Sequence, residues 1–177
     1  RKEFVDAAHK MNLKVMLDLV YFNAGPTRAK TESVAFSKSV AEWNLVTGEW
    51  NFPVMNFQCP TLRKHLSNNT VYWVKEFKID GYRCDVADAV PLDFWEEGRA
   101  RLDAIRPDLV ILSEGQRAAD QVKAFDVSYG FSWYSTTENV VARGLPASAL
   151  RKLWEKQSSE RPRGARFIRY TDNHDLN

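Results

Sequence analysis

"KIDGYRCDVADAV" (residues 78–90) decides how the fold is read. Residues 78–87 predict a strand, yet the run carries Arg83 and Asp85 two residues apart. Side chains alternate along a strand, so both groups share one face. Charged side chains are seldom buried unless they are paired or put to use. What these two residues do depends on what the rest of the chain brings to the same face.

Upstream, residues 1–12 predict a helix with Phe4, Ala8 and Met11 on one side. "LKVMLDLVYF" (13–22) is a short apolar run broken by Lys14 and Asp18, the pattern of a strand buried on both faces. Residues 23–60 read as an irregular excursion, punctuated by Gly25-Pro26, Gly48 and Pro53 and containing Trp43 and Trp50. Long connections of this kind are commonly functional.

Downstream, Pro60 opens a helix with Leu62, Leu66, Trp73 and Phe77 on one face. "LDFWEEGRARLDAIR" (92–106) predicts another, bounded by Pro91 and Pro107. "DLVILSE" (108–114), "KAFDVSYGF" (123–131) and "ARFIRYTD" (165–172) predict strands, and "ASALRKLWEKQSSE" (147–160) a helix. Five strands separated mostly by helices imply an α/β fold with a parallel sheet, open or closed into a barrel. No phosphate-type glycine loop follows any strand, so a nucleotide-binding sheet has little support. The chain begins inside a helix and stops just after a strand, whereas a (β/α)₈ barrel takes about 250 residues. The expectation is that residues 1–177 form an incomplete barrel domain, unstable and inactive by itself.

Composition narrows the function. A net charge of +2 over 177 residues, with no basic stripe, argues against nucleic acid as a partner. No apolar run reaches the roughly 18 residues of a membrane span. The opening "RKEFVDAAHK" reads as amphipathic helix and not as a leader, and the compartment is left open. Cys59 and Cys84 match neither a metal spacing nor a disulfide framework, and are expected as two buried thiols.

The ends of the strands carry the chemistry. They present Asp18, then Arg83 and Asp85, then Glu114, and finally His174 and Asp175. In a parallel barrel the C-terminal strand ends form one rim, where active sites sit. Arginine beside Asp85 favours its ionised form, as a nucleophile requires. Glu114 follows the apolar "LVILS", where desolvation raises a carboxyl and suits it to general-acid work. Two carboxyls in opposed environments are what retaining cleavage of a glycosidic bond needs. Each group has an ordinary alternative: Asp18 bound to loop amides, Arg83–Asp85 as a structural ion pair, Glu114 as a helix cap. Their conjunction is harder to explain as structure, because clustered like charges are costly without a task. Three carboxylates would also suit Mg²⁺ in an enolase-type barrel, but Arg83 beside the dication opposes that reading.

The ordered motifs "MLDLVYFN", "GYRCDVADAV", "ILSEGQ" and "YTDNHD", with a looser "FPVMNFQCPTLRKHL", resemble the alpha-amylase family, glycoside hydrolase family 13. The resemblance covers nearly the whole chain. It implies strands 3 to 7 of a TIM-type (β/α)₈ barrel, with residues 23–60 as the excursion between strand 3 and its helix. It implies Asp85 as nucleophile, Glu114 as general acid/base and Asp175 as stabiliser of the transition state. Arg83 and His174 would bind substrate and Asp18 would support the site. The implied substrate is a starch-like or malto-oligosaccharide chain, cleaved with no cofactor. A transglycosylase of the same family and a non-catalytic carbohydrate-binding homologue are the alternatives. The sequence departs from the family after Val20, where Phe22 and Asn23 stand in place of the usual Asn and His. That removes the side chain that commonly helps hold calcium, and leaves Asn23 to meet the sugar. Trp43, Trp50, Trp133 and Tyr134 are candidate stacking platforms. The sequon at Asn68–Thr70 falls on a helix, where it has no role.

Overall fold

The computed structural model describes residues 1–23, 44–47 and 53–175. Its elements run α1 (Lys2–Lys10), β1 (Met16–Leu19), β2 (Asn44–Thr47), β3 (Pro53–Met55), α2 (Pro60–Phe77) and β4 (Gly81–Cys84). They continue with α3 (Leu92–Asp103), β5 (Val110–Ser113), α4 (Asp120–Lys123), β6 (Val127–Tyr129), α5 (Phe131–Arg143), α6 (Ser148–Glu160) and β7 (Arg166–Ile168).

Five strands form one sheet in the order β1-β4-β5-β6-β7, every neighbouring pair parallel. Their order follows the chain without reversal, as in an arc of a barrel; a doubly wound sheet reverses at a switch point. The expected partial (β/α)₈ barrel is therefore the fold.

Period-two alternation sorts the strands into two faces. Leu19, Tyr82, Cys84, Ile111 and Ser113 point toward the helices and are buried. There they meet Leu62, Leu66 and Val74 of α2 and Phe94, Trp95 and Leu102 of α3 in one core. The opposite face carries Met16, Asp18, Arg83 and Val110, with Asp18 in register with Arg83 and Arg83 with Leu112. On that face Met16, Val110 and Ile168 are exposed, so the expectation of strands buried on both faces is corrected: helices cover one side only. β4 and β5 approach so closely that a Cβ at Gly81 would overlap the Val110 carbonyl oxygen.

At the N-terminal end of the sheet, buried Asp80 collects four donors. They are the Val15 N–H at 2.9 Å, Lys14 Nζ at 3.2 Å, Arg106 Nη2 at 2.8 Å and His9 Nε2 at 2.7 Å. This cluster ties the start of β1 to β4 and to the turn before β5.

Other expectations need correction. The excursion is not wholly irregular: β2 and β3 form an antiparallel pair, and Asn23 bridges to Val54. Trp43 and Trp50 lie outside the described residues. α5, a 13-residue helix, occupies a stretch to which the sequence assigns no helix. All five strands are shorter than the apolar runs that predicted them. Cys84 is buried, but Cys59 is only half-buried, with Sγ 3.1 Å from Thr61 Oγ1. The sequon lies in α2 with Thr70 buried, its hydroxyl donating to the Leu66 carbonyl at 3.0 Å.

Candidate active site

Arg83 stands on the open face of β4, one residue before the strand ends. Its Nη1 donates to Asp18 at 2.9 and 3.0 Å and to Asp85 Oδ1 at 2.5 Å. Its Nη2 pairs with Glu114 Oε1. The guanidinium also lies over the ring of Tyr129, 5.7 Å from its centroid. One side chain thus draws together groups from β1, β4, β5 and β6, and these contacts hold the arginine firmly in its charged form.

Among the described residues Arg83 is the cation these three carboxylates share, and they differ in burial. Side-chain exposure is 55% for Asp18, 22% for Asp85 and 11% for Glu114. Burial pushes the Glu114 carboxyl above its ordinary value, and the nearby Asp85 adds to the rise. The Val86 N–H, 2.8 Å from Oε2, and the Arg83 charge pull the other way without cancelling it. The net effect is a Glu114 carboxyl raised above its ordinary range, beside Asp85. A proton donor beside a carboxylate is the arrangement that acid-assisted nucleophilic substitution needs.

Local backbone builds this contact. β4 stops at Cys84, and Val86 turns into the left-handed region at φ 43°, a strained conformation for a β-branched residue. That turn aims the Val86 amide at Glu114, while the Ala87 N–H donates to the Glu114 carbonyl at 3.1 Å.

The remaining candidates lie further out. His174 Nε2 is 3.4 Å from Asp175 Oδ2, both side chains are exposed, and the Asp175 N–H donates to Asn173 Oδ1 at 3.0 Å. Tyr170, whose phenol is pushed up chiefly by burial, flanks the cluster. Tyr170 packs on Tyr129 with centroids 5.9 Å apart and stacks on Tyr134 at 5.6 Å. The structure therefore joins Asp18, Arg83, Asp85 and Glu114 directly, while Asp175 meets His174 and Asn173 outside that group. Asn23 sits beyond the end of β1 in its bridge to Val54. Trp133 is covered by Arg169, 3.8 Å over its ring.

Phe22 offers no side-chain oxygen to a calcium ion. Its side chain packs against the core, and its carbonyl accepts the Met55 N–H at 2.9 Å. Among the described residues no group of three or more His, Cys, Asp or Glu is arranged to hold a metal ion. Tyr129 and Tyr170 escaped the sequence reading. Tyr129 was findable, because it lies two residues after Val127 on the face that carries Glu114.

No family model matches the chain. A maltogenic alpha-amylase of Bacillus acidopullulyticus is 35% identical over an alignment of 132 residues that takes in 64% of this chain and 22% of that protein. A solved structure, the noncanonic maltogenic alpha-amylase AmyB of Thermotoga neapolitana, superposes with a TM-score of 0.83 at 30% identity. The superposition takes in 98% of this chain and 41% of that one. The chain belongs to the alpha-amylase family. A second amylase structure, from Lactobacillus plantarum, agrees over 99% of this chain and 45% of its own, with a TM-score of 0.82 and 27% identity. Within the family, the chain spans less than half the length of each of these relatives.

Proposed function

We propose that the protein carrying this chain is a retaining glycoside hydrolase that cleaves α-glucosidic bonds in starch-like or malto-oligosaccharide substrates. The observation that supports it is the single guanidinium of Arg83 in contact with Asp18, Asp85 and Glu114 at the C-terminal ends of the strands.

Asp85, fixed by Arg83, attacks the anomeric carbon. Glu114, its carboxyl raised by burial, gives a proton to the departing glycosidic oxygen, and the bond between carbon and oxygen breaks. A covalent glycosyl ester on Asp85 results. Glu114, now a carboxylate, takes a proton from water, and the water oxygen displaces Asp85 with net retention. Asp175 faces the positive charge that develops on the sugar ring in both steps. Arg83 and His174 hold the sugar, Asp18 keeps Arg83 in place, and Asn23 offers a hydrogen bond in the subsite of cleavage. No step calls on a cofactor.

The full-length protein with Asp85→Asn tests this reading on a maltoside. Activity is expected to fall by a factor of about 10⁴ or more, since the covalent route loses its nucleophile. A variant that keeps a tenth of the original rate contradicts it.

A further inference from the structure

The turn after β4 and the loop after β5 are locked together by a residue with no part in the chemistry above. Asp88 Oδ2 accepts the Gln116 N–H at 2.8 Å, and Oδ1 accepts the Arg117 N–H at 3.2 Å. Arg117 closes the clamp from its own side. Its Nη1 donates to the Asp88 carbonyl at 3.3 Å, its Nη2 to the Ala87 carbonyl at 3.4 Å, and its Nε to buried Asp120 at 2.6 Å. Gly115, buried between them, is obligatory for this packing, because a Cβ there would overlap the Asp88 carboxylate. Asp88 lies at the surface, yet its carboxylate is committed to the two amides that follow Glu114 and Gly115.

The clamp bears on Glu114 through Val86. A left-handed valine persists only where its surroundings over-determine the backbone. Asp88, two residues further on and bonded to the opposite loop, supplies that constraint. Val86 in turn delivers the N–H that meets Glu114 Oε2 at 2.8 Å.

We infer that Asp88 is a positioning residue for Glu114: by clamping residues 116 and 117 to the turn after β4, it holds the Glu114 carboxyl where a glycosidic oxygen must be protonated. The inference rests on the acid role proposed above for Glu114.

The test compares two substrates in the full-length protein by kcat/KM, which reports events up to bond cleavage. Maltotriose has a sugar leaving group that needs a proton, whereas α-maltosyl fluoride releases fluoride without one. Asp88→Ala is expected to lower kcat/KM about tenfold on maltotriose and less than about twofold on the fluoride. Asp88→Asn keeps an oxygen that accepts an amide proton, and recovers most of the loss. Gly115→Ala, which displaces the carboxylate, gives the same selective loss and adds little when combined with Asp88→Ala. Equal losses on both substrates, or no loss on either, overturn the role of Asp88. Glu114→Gln separates the two levels: it should show the same selectivity more strongly. If it shows none, the acid role of Glu114 fails first, and the inference falls with it.

Discussion

Arg83 and Glu114 meet through Nη2 while Nη1 of the same guanidinium serves Asp18 and Asp85. Among the described residues, Arg83 is therefore the one positive charge paired with all three carboxylates. Arg83→Ala leaves them facing one another, and Glu114, already raised by burial, loses an influence that lowers it. A general acid works while protonated, so a further rise extends activity upward in pH. The expected result is a kcat/KM about 100-fold lower, with the alkaline limb of its pH profile moved to higher pH. Arg83→Lys keeps a charge but not the fork, and is expected to fall between the two. The pH profiles of the three proteins check this.

Asp80 governs stability at the opposite end of the sheet. Burial by itself would raise its carboxyl; the Val15 N–H, His9, Arg106 and Lys14 outweigh that and hold it far below the usual range. A depressed carboxyl contributes stability that is complete above its unfolded value, about 4, and is lost as the pH falls toward its folded one. Asp80→Asn is expected to cost about 2 kcal/mol at pH 7. The gap in Tm between variant and parent should shrink steadily below about pH 4. A gap that stays constant from pH 7 to pH 3 contradicts this account.

Two glycines predict opposite outcomes. Gly81→Ala drives a methyl into the Val110 backbone; backbone cannot step aside as a side chain can, so the loss should exceed about 3 kcal/mol. Gly98 lies inside α3 with no atom within 4 Å of an added Cβ. Gly98→Ala is expected to gain about 0.5–1 kcal/mol through helix propensity. Thermal melts of both variants decide.

Among the described residues, β1 and β7 each leave an edge unpaired, and the open face exposes Met16, Val110 and Ile168. Unpaired edges and exposed apolar faces favour association. The isolated chain is expected to melt without a cooperative transition and to aggregate. A sharp, reversible calorimetric transition contradicts that expectation.

The strands and the residues at their ends were legible because both follow from period-two alternation. Asp18, Arg83 and Glu114 needed only a strand assignment and a common rim. What escaped depends on contacts distant in sequence. "FSWYSTTENVVAR" is rich in Ser, Thr, aromatic and β-branched residues, and α5 buries none of them, so neither propensity nor a buried stripe announces a helix. The strand that was expected through residue 87 ends at Cys84, because the turn from Val86 to Asp88 is bonded to residues 114, 116 and 117. Local preference opposes a left-handed valine, and tertiary structure imposes it. Asp88 drew no attention for the same reason: its partners lie 28 and 29 residues away.

The claim that Asp85 becomes covalently glycosylated is open to direct observation. In the full-length protein with Glu114→Gln, α-maltosyl fluoride can load the nucleophile without acid assistance, but the base that releases it is missing. Intact mass followed by peptide mapping is expected to find one maltosyl unit on Asp85. A maltosyl group on any other residue, or turnover with inverted anomeric configuration and no adduct, would contradict the account.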